Sequence, residues 1–247
     1  MQAIDLNADM GEYTDDNQRS AEAELMLLVS SCSIACGGHA GDDETMVHTV
    51  RLAKKRNVSI GAHPSYPDRE GFGRRSLKFD ATELLESLKD QIAALKKITD
   101  DEGASLNHVK PHGALYNDAA KDLPLAELIV EAAGGAIIVG PPGSKIEDAA
   151  KIAGKNFSAE GFVDRLYLQS GALTPRGTPG AVIEDVAARA EQARAIAKGE
   201  TFRASGGALT LTVQTLCIHS DSPGAAETAR AVRAALESDG FTIRTFA

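Results

Sequence analysis

Five of the six histidines in this chain stand at or near the end of a short apolar run, with acidic or basic side chains close by. The pattern recurs in six segments: Asp5 to Glu12, Ile34 to Asp42, Ile60 to Arg75, Val109 to Tyr116, Ala159 to Arg165 and Leu216 to Asp221. Asp9, His39 and His63 have the composition of an Asp-His-His site for a divalent metal, which would leave coordination positions for water and substrate. The alternative is that they hydrogen-bond one another and a substrate without metal. Lys110, on an inward-facing strand, needs a compensating anion, and Glu160 is its natural internal partner. His112, just past Pro111, is the preferred acid or base, because an imidazole titrates near neutral pH. Arg69 or Arg74 could clamp a carboxylate or phosphate in bidentate fashion. His48 falls inside a helical stretch and is assigned no role. The Gly-rich segment Gly140 to Lys145 lacks the spacing of a phosphate-binding loop and reads as a strand-to-helix turn.

These groups must be held by the runs they terminate. Strands are expected at Ala3–Ala8, Ser31–Cys36, Val58–Ala62, Asn107–Lys110, Ala136–Val139, Asn156–Glu160 and Thr212–Ile218. Helices are expected between most of them. One starts behind Asp80, with Leu84, Leu88, Ile92 and Leu95 on one stripe and Gly103 after its end. Others span Asp43 to Lys55, Leu123 to Ala133, Val182 to Lys198 and Pro223 to Ser238. Thr14–Ser20 and Gln169–Pro179 read as loops.

Strands alternating with helices imply a parallel sheet. A parallel sheet covered on both faces is apolar on both. Here Asp5, Asn7 and Asp9 share one face of the first strand, against Ile4, Leu6 and Ala8 on the other. His108, Lys110 and His112 likewise share a parity. One polar face points to a closed, seven-stranded parallel β/α barrel with a polar lumen, in a single domain over residues 1–247. Its active groups would lie where the C-terminal strand ends converge.

The bulk properties agree. A chain of 247 residues suits one α/β barrel, and with 4% aromatic residues and no Trp its core must be aliphatic. The net charge of −9 argues against a nucleic-acid surface. No apolar run reaches the length of a membrane span, so no membrane association is expected. Cys32, Cys36 and Cys217 form no framework and read as buried free thiols. With no leader segment discerned, a cytoplasmic location is expected.

The six segments, with Pro175-Arg176 and Gly180 to Ile183, together resemble the LamB/YcsF family from residue 5 to residue 219. The resemblance implies a barrel similar to polysaccharide deacetylases. It also implies ATP-dependent opening of the lactam 5-oxo-L-proline to L-glutamate, in company with partner subunits B and C. ATP would be a co-substrate, with Mg²⁺ at one of the partners. Asp9 or His63 would deprotonate the attacking water, and Lys110 and His112 would stabilise oxygen charge or protonate the departing nitrogen. Glu160 completes the expected catalytic group. Arg69 or Arg74 would hold the substrate carboxylate, with Asn7, His39, Tyr66, Tyr116, Arg165 and His219 as further expected substrate contacts. Two positions depart from the family pattern. Gly38 stands where Phe commonly precedes the histidine, which is expected to widen the pocket wall, and Ser220 stands where Gly usually follows His219. The rival expectations are a stand-alone metal-dependent deacylase of acetylated sugars and a non-catalytic lactam-binding protein.

Overall fold

The computed structural model describes residues 2–222 and 224–247. Seven parallel strands close into a barrel: β1 (Gln2–Met10), β2 (Ser31–Ala35), β3 (Ser59–His63), β4 (Leu106–Val109), β5 (Ile137–Gly140), β6 (Phe157–Phe162) and β9 (Thr215–Ile218). Closure comes from β9, which pairs with β6 on one side and with β1 on the other. A short strand β10 (Phe241–Ile243) extends the sheet beside the first residues of β1. An antiparallel hairpin of β7 (Phe202–Ala204) and β8 (Gly207–Leu209) stands apart from the barrel sheet.

Helices α2 (Asp43–Arg56), α3 (Ala81–Asp101), α5 (Leu123–Ala132), α6 (Lys145–Ile152), α7 (Val186–Lys198) and α8 (Ala225–Ser238) surround the strands. The Asp80 carboxylate accepts from the Thr82 backbone N–H at 2.8 Å, and the Leu84, Leu88, Ile92 and Leu95 stripe is buried. That cap and that stripe are why α3 forms where it does. The Gly140 to Lys145 segment is a turn into α6. Its Gly143 N–H donates to the Glu147 carboxylate at 2.7 Å, so an internal anion already occupies the place a phosphate would take.

Two expectations about elements need correction, a third falls partly outside the described residues, and one short helix goes unforeseen. Thr14–Ser20 is not a loop throughout. Asp15 caps the helix α1 (Asp16–Leu25), whose buried residues include Glu22, so no apolar stripe announces it. Helix α7 starts at Val186 behind the Asp185 cap rather than at Val182, which instead bridges to Arg165. Helix α8 begins at Ala225, and Pro223, its expected start, lies outside the described residues. Past His112, the chain turns into a short helix α4 (Gly113–Ala119) that alternation does not reveal.

The parity of β1 holds in three dimensions. Ile4, Leu6 and Ala8 join the aliphatic core, while Asp5, Asn7 and Asp9 are buried in the lumen. Deep in the lumen, Asp5 accepts from the hydroxyls of Ser30 and Ser31, each at 2.7 Å, and of Thr215 at 2.5 Å. Burial nonetheless pushes its carboxyl up from 3.8 to about 6. The fold therefore keeps a proton that the unfolded chain has released, and stability falls as pH rises from about 4 to 6, by up to about 3 kcal/mol. Asp5→Asn is expected to remove that slope. Urea denaturation of both proteins between pH 4 and 7 reads it, and parallel curves would exclude it.

Candidate active site at the barrel mouth

A cleft of about 350 Å³ opens among the C-terminal strand ends, lined by Asp9, His63, Lys110, His112, Glu160 and His219 among others. Five of the six segments thus meet in one void.

At its floor Lys110 is 2% exposed, with Nζ 2.7 Å from an Asp9 oxygen and 2.8 Å from a Glu160 oxygen. It also donates to the Asn7 side-chain oxygen at 3.1 Å. Burial alone would lower the lysine pKa, but Asp9 and Glu160 hold it well above its ordinary value. The reciprocal holds for Asp9: burial would raise it, yet His63 and Lys110 keep it well below the usual carboxylate range. Glu160 is indeed the internal partner of Lys110, and Asp9 is a second partner that spacing does not reveal.

Beside this pair lies a group of three histidines and one acid. His39, His63, His112 and Glu12 bring their ligating atoms within 4.8 Å of one another, all four residues buried, and the group could hold a metal ion. The expected trio of Asp9, His39 and His63 is therefore rearranged. His112 and Glu12 complete the histidine cluster, while Asp9 pairs with Lys110 and stays 3.4 Å from His63 Nε2. Glu12 is positioned by Glu22 of α1, which accepts from the backbone N–H groups of Gly11 and Glu12 at 2.7 and 3.0 Å. Burial, together with the charge of Asp9, pushes the Glu12 carboxyl up to about 7.

His112 does not suit the role of proton donor. Its Nε2 donates to the Phe72 carbonyl at 2.9 Å, and burial pushes its pKa well below the ordinary value. The backbone at Phe72 adopts φ of +52°, a left-handed conformation that costs a bulky residue energy. This folds the loop after β3 over the histidines, with the Phe72 ring edge-on to His39 at 5.3 Å.

His219 is better placed to deliver a proton. It lines the cleft, its Nδ1 lies 2.9 Å from Asp164, and its ring stacks on Phe162. Burial would raise Asp164, but His219 and the Ser222 hydroxyl hold it below the usual carboxylate range. A histidine oriented by a buried carboxylate through one nitrogen has the arrangement of an acid–base dyad.

The remaining expected contacts divide. Arg74 lines the cleft and pairs with Asp221, which Arg176 also approaches at 3.6 Å. Tyr116 and Arg165 line it too, although the Arg165 guanidinium is engaged by the carbonyls of Thr174 and Ala181. Arg69 instead donates to the carbonyls of Gly37 and Gly41 and faces a second hollow on the far side of His39 and Glu12. Tyr66 points its hydroxyl at Asp118 and stacks on Phe79, outside the cleft. Asn7 bonds Glu160 and Thr215 beneath the floor, so it positions Lys110 and Glu160. His39 contributes to the histidine group and lines the second hollow. Sequence reasoning misses Glu12, Asp164, Arg176 and Asp221 as site residues, although each lies within or beside one of the matched segments.

Gly38 does not widen the pocket wall. A Cβ there would lie 2.4 Å from both Gln91 Oε1 and Ser65 Oγ, and Gln91 fills the space by bonding both backbone groups of Ser65 at 3.0 Å. Gly38→Ala is expected to cost about 1–3 kcal/mol, since a packed neighbour must move. A thermal melt unchanged from wild type would contradict this.

Residues 4–247 match the LamB/YcsF family. The A subunit of a 5-oxoprolinase from Methylococcus capsulatus is 44% identical over 245 residues, covering 97% of this chain and 94% of that protein. The crystal structure of a lactam utilization protein from Thermus thermophilus is similar with a TM-score of 0.89 at 41% identity, covering 99% of this chain and 100% of that one. A family 4 carbohydrate esterase from Streptomyces lividans shares the barrel with a TM-score of 0.50 at 10% identity, covering 100% of this chain and 93% of the esterase. That last likeness concerns the fold alone.

Proposed function

The chain belongs to the LamB/YcsF family, and from that footing we propose that it is the ring-opening component of an ATP-dependent 5-oxoprolinase. It converts 5-oxo-L-proline to L-glutamate with cleavage of ATP to ADP and phosphate, alongside partner subunits B and C. The observation that carries this is the meeting of Asp9, His63, Lys110, Glu160 and His219 on one cleft, in a chain 40–44% identical along its length to proteins named as the A subunit of 5-oxoprolinase.

A five-membered lactam is a poor electrophile with a poor leaving nitrogen. Phosphorylation of its oxygen at the partner subunits makes the ring carbon accept water. In the cleft, Asp9, buried and ionised beside Lys110, faces the attacking water and takes its proton as the new C–O bond forms. Lys110 keeps a positive charge at the floor, where negative charge develops on oxygen. His219, oriented by Asp164, protonates the nitrogen as the C–N bond breaks, and a second water then cleaves the acyl phosphate left behind to L-glutamate and phosphate. Arg74 and Arg176, at the mouth, bind the substrate carboxylate.

A metal bound among His39, His63, His112 and Glu12 would supply Lewis-acid polarisation beside the same cleft. Glutamate release from 5-oxoproline and ATP, with and without the two partners and with and without EDTA, tests the proposal. Glutamate formed only with both partners supports it. Partner-free deacylation of an acetylated sugar, or lactam binding that survives loss of Asp9 and His219 with no role in turnover, would overturn it.

A further inference from the structure

We infer that His39, His63, His112 and Glu12 form a mononuclear site for a divalent transition metal of the zinc class, with Asp9 outside the ligand set. The inference rests on which nitrogens carry protons, and it is independent of the substrate proposed above.

His63 Nδ1 lies 2.7 Å from the Lys110 carbonyl, and His112 Nε2 lies 2.9 Å from the Phe72 carbonyl. A carbonyl oxygen can only accept, so each of those nitrogens must carry the hydrogen. The other nitrogen of each neutral ring is then a bare lone pair. Those two bare nitrogens, His63 Nε2 and His112 Nδ1, face each other at 3.0 Å. Two lone pairs do not approach so closely without a cation between or beside them, whether a shared proton or a metal. A third imidazole meets them there, since the His39 ring stacks on His112 at 3.6 Å.

A carboxyl group is present as well. A single Glu12 oxygen lies 2.9 Å from His39 Nε2, 3.4 Å from His112 Nδ1 and 3.9 Å from His63 Nε2. Four donors at about 2.0–2.1 Å from a tetrahedral ion would be separated by roughly 3.3 Å, and the observed spacings bracket that value. Three imidazoles and one carboxylate favour zinc, cobalt or nickel over magnesium or calcium. The second nitrogens of His63 and His112 are anchored on backbone carbonyls, which fixes the tautomer a ligand histidine needs. Asp9 is committed to Lys110 at 2.7 Å, which removes it from the set. The group separates the cleft, which His63 and His112 line, from the second hollow, which Glu12 and His39 line. An ion there is reachable from the cleft.

The test uses the purified full chain, stripped with EDTA and dialysed, then titrated calorimetrically with Zn²⁺ and Co²⁺. One ion per chain is expected, with a raised melting temperature and, for Co²⁺, intense visible bands of a low-coordinate site. Glu12→Gln and His63→Ala are each expected to weaken binding at least 100-fold and abolish the bands, while His48→Ala leaves both unchanged. Glu12→Gln nearly preserves shape and serves where His63→Ala fails to fold. Absence of saturable binding, or binding insensitive to Glu12→Gln, would overturn the assignment.

Discussion

Lys110→Met is expected to abolish glutamate formation in the reconstituted complex and to destabilise the barrel by about 3–5 kcal/mol. The lysine neutralises two buried carboxylates at once, Asp9 at 2.7 Å and Glu160 at 2.8 Å. Methionine matches its stem but leaves both acids without their cation, and an unpaired buried charge costs far more than the pair contributes. The pH dependence has a definite sign. In the wild type Asp9 is held well below the usual carboxylate range, so its share of stability is present at neutral pH and lost in acid. Without Lys110 the acids are driven to take up protons, so the deficit is largest at neutral pH and shrinks as pH falls. Adding Glu160→Gln to Lys110→Met removes one orphaned acid and is expected to restore part of the stability and none of the activity. Urea denaturation at pH 5 and 7 measures the first effect and glutamate release the second. A single variant within 1 kcal/mol of wild type at both pH values would show that the pair is not a buried charge pair at all.

His219→Gln is expected to lower kcat by about 10²–10⁴-fold, the range of a lost general acid, with KM nearly unchanged. Its ring faces the cleft and its Nδ1 is held by Asp164 at 2.9 Å, so glutamine removes the imidazole and leaves the wall largely in place. Asp164→Asn is the companion variant: it keeps the ring but loses the anion that orients it, and a smaller fall in kcat with a shifted pH profile is expected. His112→Ala separates the roles of the two histidines. Loss of metal binding together with activity would place His112 with Glu12 and His63, whereas loss of activity alone would restore it as the acid. Normal kcat in His219→Gln would refute the assignment of the leaving-group proton.

Much of the site was legible because strand parity is a strict rule of covalent geometry. Asp5, Asn7 and Asp9 had to share a face, and that face had to be the lumen once Ile4, Leu6 and Ala8 were spent on the aliphatic core. The strand ends could likewise be located, because apolar runs stop at Pro and Gly. What parity cannot supply is the distance between side chains carried by different strands. Arg69 and Arg74 were equivalent as letters. Only the turn through Phe72 and Gly73 sends one to the cleft and the other to the carbonyls of Gly37 and Gly41. Glu12 escapes notice because nothing local distinguishes it from a solvated acid. Its burial depends on Glu22, ten residues away on a helix with no apolar stripe to reveal it.

The amino-acid order therefore determined the β/α architecture, the polar lumen and the set of residues at the barrel mouth, since periodicity and chain-breaking residues act over a few positions. Tertiary structure alone decided the partnerships: Asp9 with Lys110 rather than with a metal-binding group, His112 with His63 and Glu12, and His219 with Asp164. Such pairings are fixed by barrel closure and strand register, which bring together residues far apart along the chain, and no local rule encodes that geometry.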